Sequence, residues 1–297
     1  MKRHRALLAG LAVVILWASA FPAIQVAAPA MGPIGLSFAR LFIATVALLI
    51  VGLVKRIRVP RPRDLGWIIA CGFFGMTSYQ LLLNWGELYV PAGTASIIVA
   101  AAPLVSVAVA RILFAERISR ITIVGSAIAL GGVVIVCLAR SGVALSAAVW
   151  IVVAAMVVQG AYHPLQRPLL RRYSGLEVAC YAMVAGTLMT VPVAPFAVDG
   201  LLGAGAAAWL AAVWLGLMPS ALGFVLWGYA VGRMSVAAST SMLYLVPPAA
   251  VLIAWAWLGE LPIVAELIGG VIVLLGVITI SQLPRILASR RTRSALV

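Results

Sequence analysis

The chain has 297 residues, a mean hydropathy of +1.18, 65% hydrophobic residues and 9% charged ones. No single soluble core hides that much apolar surface, so the composition excludes a soluble globular domain and requires a polytopic membrane protein. The net charge of +14 does not point to nucleic acid, because polyanion-binding residues would cluster on one soluble domain and the sequence offers none.

A hydrocarbon core of ~30 Å takes about 20 helical residues. Cutting the chain at its charged and Pro/Gly-rich breaks predicts ten such spans, at 6–27, 34–54, 65–84, 92–113, 119–138, 145–163, 176–197, 207–229, 235–258 and 262–283. The runs are continuously apolar, without the alternation of a membrane β-barrel. The first follows MKRHR and resembles a signal peptide, with Ala18-Ser19-Ala20 as a cleavable small-residue site. Its apolar run continues through Ala28 and further spans follow at once, so it reads as a retained first helix. Cys71, Cys137 and Cys180 lie inside apolar runs without metal-ligand spacing, and neither a disulfide framework nor a metal site is expected. All but Arg40 and Arg140 of the 21 basic residues fall on one side of this topology. That side is expected to be the cytoplasm, which places both termini inside a bacterial inner membrane.

The chain repeats itself at an offset of 144 residues: Pro103, Glu116, Gly125 and Gly132 fall on Pro247, Glu260, Gly269 and Gly276 without a gap. A weaker echo places Pro22 on Pro164. Five spans separate the copies, and an odd number reverses direction through the membrane, so the expected architecture is two inverted five-helix repeats. Their bounds are 1–140 and 141–284, with a basic cytoplasmic tail at 285–297.

A mid-helix proline removes one backbone donor and displaces the carbonyl four residues earlier. Pro103, Pro247 and Pro248 are therefore candidate helix-break or gating positions, or kinks that serve packing alone. The paired glycines Gly125/Gly132 and Gly269/Gly276 each share a helix face and permit close approach of a neighbour. Glu116 and Glu260 stand in short turns, where a carboxylate before a helix N-terminus takes up orphan N–H groups.

WASAFPAIQ in the first span, FARLFIA in the second, and the twin segments FAERISRITIVGSAIALGGV and WLGELPIVAELIGGVIVLLGV resemble the EamA-type members of the drug/metabolite transporter superfamily. The resemblance covers about Leu7 to Gln282 and is nearest the aromatic amino acid and methyl viologen exporters. It implies a cavity around the third, fourth, eighth and ninth helices, with help from the first and sixth. Arg40 matches the family's second-span arginine, and its counterpart in the second half falls near Ala182. One departure is Ala115 before Glu116, where the family has glycine, as Gly259 stands before Glu260; the inner turn is expected to be shaped differently.

The polar and aromatic residues at mid-span are the candidate substrate contacts: Trp17, Tyr79, Gln80, Asn84, Ser96, Gln159, Tyr162, His163, Trp227, Ser239 and Tyr244. Polar groups facing lipid are costly, so these face protein or water. The competing role is interhelical hydrogen bonding, worth ~0.6 kcal/mol on average. Trp17, Tyr79 and Tyr244 stand out because large aromatics at mid-depth are off the interfacial belts. Arg40 is the costliest residue of the set; its options are snorkelling outward, pairing with Glu87 or Glu266, or holding a substrate carboxylate, and pairing ranks first.

The sequence lacks a GxxxxGK[ST] loop. The leading function is a secondary transporter, without cofactors, that exports amino acids or related small metabolites by alternating access around a central cavity. Its expected partners are a small-molecule substrate, an amino acid in the leading reading, and the lipid bilayer, without nucleic acid; the sequence leaves the oligomeric state open and is compatible with a monomer. The alternatives are multidrug efflux of aromatic or cationic compounds and an intramembrane enzyme acting on lipid phosphate. The latter has a poor catalytic inventory, with His4 and His163 as the two histidines.

Overall fold

The computed structural model describes residues 2–115, 120–139, 147–231, 242–276 and 278–279, and their secondary structure is helical, with no strand among them. Glu116, Ser239 and the basic segment 285–297 lie outside the described residues. The helical elements are α1 (Lys2–Ala18), α2 (Ala20–Lys55), α3 (Pro62–Gly86), α4 (Ala92–Phe114), α5 (Arg120–Ala139), α6 (Ala147–Leu165), α7 (Gly175–Gly203), α8 (Ala206–Ala230), α9 (Leu243–Leu258) and α10 (Val264–Gly276). Among the described residues, six helical stretches are long and apolar enough to cross a bilayer, and shorter apolar helices accompany them. The chain is a multi-pass membrane protein.

The longest stretch, Arg5–Lys55, has 51 residues. Unbroken, it would extend ~77 Å at 1.5 Å per residue, more than twice the ~30 Å hydrocarbon core. It breaks at Gly32, between Pro29 and Pro33, where φ is 69° and ψ 162°. Only glycine adopts that conformation at low cost, so the break divides the stretch into two arms of membrane length.

The repeat is written into the backbone. A π-helical segment interrupts α3 at Gly72–Ser78 and α8 at Gly216–Leu222, 144 residues apart. In α4 the helix lapses into a turn at Ala100 and Ala101 and restarts as Ala102–Phe114; in α9 a 3-10 turn at Leu243–Leu245 precedes Val246–Leu258. Pro103 therefore occupies the first turn of the restarted helix in α4, and Pro247 and Pro248 the first turn of Val246–Leu258 after its 3-10 turn, where a missing N–H costs nothing; of the roles the sequence left open, they stand at helix breaks. The restarted helices end alike, with Ala115 at φ 53° and Gly259 at φ 71°. At this one position alanine adopts the left-handed conformation that glycine adopts in the other half; the rest of the inner turn, 116–119, lies outside the described residues.

The two halves interleave. α3 and α4 of the first half pack on α6 of the second, while α8 and α9 of the second pack on α1 and α2 of the first. α5 and α10 run antiparallel with their backbones in contact: a Cβ on Gly132 would stand 2.7 Å from the Gly269 carbonyl oxygen, and one on Gly276 would stand 2.6 Å from that of Gly125. The buried apolar side chains fall into two clusters. One gathers Ile24, Leu36, Leu83, Ile98, Met156 and Leu215, and the other Leu41, Leu48, Met76, Tyr162, Met183 and Phe224.

A polar joint ties the chain after α2 to the start of α7. The Arg58 guanidinium donates to Glu177 through Nε (2.8 Å to Oε1) and Nη2 (3.0 Å to Oε2), and Nη2 also reaches the Arg172 carbonyl at 2.8 Å. Glu177 is fixed in turn by a capping box with Ser174, whose backbone N–H donates to Oε2 at 2.7 Å. Beside it, Asp64 accepts from the Tyr173 hydroxyl at 2.8 Å and pairs with Arg172.

Candidate functional site

A cavity of about 90 Å³ lies between the two apolar clusters, where the interruptions of α4 and α9 face each other. That is well above the ~10–15 Å³ needed to admit a water molecule. Its walls include Trp17, Phe21, Arg40, Tyr79, Gln80, Ser96, Pro103, Gln159, His163, Phe224, Tyr244 and Pro247, and no carboxylate is among its lining residues.

Several walls come from equivalent positions of the repeat. Gln80 corresponds to Phe224, Val99 to Leu243, Ala100 to Tyr244, Ala102 to Val246 and Pro103 to Pro247 at an offset of 144, and Trp17 corresponds to Gln159 at the Pro22–Pro164 offset. The geometry is symmetric and the chemistry is not. Each half contributes one glutamine, Gln80 in the first and Gln159 in the second, and the equivalent position in the other half contributes an aromatic ring, Phe224 or Trp17, which makes one wall polar and the other apolar.

The apolar wall is held rigidly. Trp17 Nε1 donates to the Pro219 carbonyl, 3.1 Å away in the π segment of α8. Its ring packs 5.4 Å from both Phe224 and Trp227, centroid to centroid. Trp227 itself is buried behind this pair and does not line the cavity.

The polar wall is unsatisfied. Gln80 is fully buried, and neither its Nε2 nor its Oε1 has a hydrogen-bond partner in the protein. The same holds for Gln159 Oε1 and for Arg40 Nη1. Arg40 is buried, and its Nε donates to Ser220 Oγ at 2.8 Å. It does not pair with either expected carboxylate. Both oxygens of buried Glu87 lack hydrogen-bond partners, while Glu266 accepts from Thr94 Oγ1 and from the Ile263 backbone N–H at 3.0 Å. The expected ion pair is replaced by a guanidinium held on one edge by a hydroxyl.

The remaining sequence candidates separate. Asn84 is buried beside the cavity and spends its Nδ2 on Ser37 Oγ at 2.8 Å. Tyr162 packs against Gly75, where a Cβ would meet its ring at 2.3 Å, and against Phe224. Pro248 is exposed. These three do not line the cavity. Phe21 and Phe224 do, yet nothing in the sequence distinguishes a lining phenylalanine from a packed one. Ser220 had a mid-span position as its only signal; its role depends on the π segment, which no hydropathy pattern reveals. Among the described residues, no group of His, Cys, Asp and Glu side chains is arranged to hold a metal.

Comparison with known proteins places this geometry. Residues 4–138 and 146–282 match the EamA-like transporter family, one match in each half. The chain belongs to the EamA-like transporter family. It is 49% identical over 294 residues to a protein of Streptantibioticus cattleyicolor named "Probable terminal-alkyne amino-acid exporter", covering 99% of this chain and 98% of that one. A "Probable amino-acid metabolite efflux pump" of Salmonella typhimurium is 26% identical, with 90% of this chain and 91% of that one covered. An uncharacterized transporter of Bacillus subtilis is 30% identical, over 88% of this chain and 86% of its own. A solved crystal structure shares the fold, with a TM-score of 0.69 at 21% identity over 94% of this chain and 96% of that one. This EamA-like protein is a membrane transporter, not an enzyme.

Proposed function

We propose that this EamA-like transporter exports amino acids or closely related small metabolites by alternating access around the central cavity. The observation that carries the reading is the cavity itself, built by paired interruptions in an inverted repeat, with a polar wall facing an aromatic one. Two inverted halves, 1–140 and 141–284, of five spans each rock about this point. The reading takes ten spans, counting the two arms divided at Gly32 with the remaining helices, and sets both termini in the cytoplasm; the gathering of the basic residues on one side supports that orientation. On this reading the Arg58–Glu177 ion pair lies on the cytoplasmic side and helps to seal it.

The volume favours a small substrate. A cavity of about 90 Å³ suits a small metabolite better than a drug-sized ligand, which needs a pocket of about 300 Å³ or more. A cationic drug would also want a carboxylate in the cavity, and the lining supplies none. The exporter names of the two relatives support amino acids over drugs. The test is efflux from proteoliposomes loaded with a panel of radiolabelled amino acids and, separately, with cationic drugs. Export of the drugs but of no amino acid would reverse the assignment.

A further inference from the structure

Arg40 poses a physical problem that the fold does not explain. Burying a guanidinium inside a membrane span costs several kcal/mol unless its charge is matched; buried Glu87 lies within Coulombic reach but makes no hydrogen bond to it, and only one hydroxyl contact, to Ser220, is formed along its fork. The repeat provides an internal control. Gly216 lets α8 approach α2 so closely that a Cβ there would stand 3.0 Å from the Arg40 carbonyl oxygen, and equivalent Gly72 lets α3 approach α7 with its Cβ 3.2 Å from the Ala182 carbonyl oxygen. Ala182 is the counterpart of Arg40, and Met76 is the counterpart of Ser220. The same helix junction therefore forms with an alanine and a methionine in one half and with an arginine and a serine in the other. Packing does not require the charge.

Of the buried atoms without a partner, Glu87 Oε1 and Oε2 and Asn84 Oδ1 belong to residues off the cavity lining, and those on lining residues have a pattern. Arg40 Nη1 and Gln80 Nε2 are donors; Gln80 Oε1 and Gln159 Oε1 are acceptors. Each belongs to a buried side chain that lines the cavity. Two donors with a positive charge complement a carboxylate, and two neutral acceptors complement an ammonium group. Opposite them stand Trp17 and Phe224, an apolar wall for a side chain without charge.

We infer that Arg40 is the carboxylate anchor of the substrate site, that the Gln80 and Gln159 amide oxygens receive the α-ammonium group, and that the substrate class is the small neutral α-amino acid with an apolar side chain. The inference rests on the proposed export function and names which groups of the substrate that site reads. Ser220 holds Nε and so turns the remaining edge of the fork toward the cavity; it is a positioning residue.

Binding to the purified full-length transporter tests this with L-norvaline, L-propargylglycine and L-leucine as probes, in competition with norvalinamide, which lacks the carboxylate, and pentanoate, which lacks the ammonium group. Wild-type protein is expected to bind the amino acids and to bind norvalinamide and pentanoate each at least tenfold more weakly. A charge-assisted hydrogen bond contributes ~1.5–3 kcal/mol, or about a tenfold to hundredfold change in affinity. Arg40→Met should weaken amino acid binding by that factor while leaving the already weak binding of norvalinamide unchanged. Arg40→Lys, which keeps the charge without the fork, should fall between. The wild-type analogue series stands even if a variant fails to fold. Equal binding of norvaline and norvalinamide to wild-type protein would overturn the carboxylate anchor while leaving amino acid export intact. No binding of any of the three amino acids would overturn the inferred substrate class, while export of other amino acids in the radiolabelled panel would keep the export reading.

Discussion

Substituting Gly132 by alanine tests the interleaved architecture at a close backbone contact between α5 and α10. An added Cβ would stand 2.7 Å from both the Gly269 carbonyl oxygen and the Val273 backbone nitrogen. Those are backbone atoms, which cannot rotate aside, so α5 and α10 must part by several tenths of an ångström to reach ordinary contact. Overpacking of this kind costs ~1–3 kcal/mol. The neighbouring Gly131 offers the control, because a Cβ there meets nothing within 4 Å. Both substitutions gain the same ~1 kcal/mol of helix propensity, so the difference between them isolates the contact. Thermal unfolding in detergent is expected to show Gly131→Ala equal to or above wild type, with Gly132→Ala less stable than Gly131→Ala by ~1–3 kcal/mol. Identical melting of the two variants, or a lower value for Gly131→Ala, would refute the antiparallel contact between α5 and α10.

Other outcomes follow from the same geometry. Ala115→Gly should raise the melting temperature and Gly259→Ala should lower it, each by about 0.5–1 kcal/mol, since a left-handed residue with a Cβ costs ~1–2 kcal/mol and glycine's extra chain entropy offsets part of that; shifts of the same sign would contradict the shared turn conformation. Trp17→Phe removes the hydrogen bond to the Pro219 carbonyl and loosens the aromatic wall. The transport KM is expected to rise about fivefold for a loss of ~1 kcal/mol, and an unchanged KM would argue that this wall is not in contact with substrate. Glu177→Gln weakens the joint to Arg58, so maleimide labelling of buried Cys180 in a Cys71→Ser, Cys137→Ser background should accelerate. Unaltered labelling would mean that the joint does not hold the inner side closed.

Much of the fold is legible in the sequence because lipid imposes strong rules. Continuous apolar runs mark helices, and the spacing of Pro103, Glu116, Gly125 and Gly132 against Pro247, Glu260, Gly269 and Gly276 shows the duplication directly. The π segments at Gly72–Ser78 and Gly216–Leu222 escape notice, since one extra residue per turn leaves the hydropathy unchanged. The site was legible where polarity or aromatic size was unexpected at mid-depth, as for Trp17, Tyr79, Gln80, Gln159 and Tyr244, all of which line the cavity. Asn84, Tyr162 and Trp227 carry the same signal yet point into packing, because composition at mid-depth does not reveal which way a helix is rotated. Arg40 shows the limit most clearly. The sequence favoured a carboxylate partner, but partner choice depends on side-chain geometry, and the structure gives it a serine hydroxyl supplied by a π turn.

Counterflow in proteoliposomes containing wild-type protein or Ala100→Trp, whose bulk would fill the cavity between the interruptions of α4 and α9, tests the central claim most directly. Wild-type protein is expected to accumulate external radiolabelled norvaline or propargylglycine when the lumen holds the unlabelled amino acid, and Ala100→Trp, folded by the criterion of its melting temperature, to lose that exchange. Exchange that continues unchanged in folded Ala100→Trp would show that the substrate does not pass through this cavity.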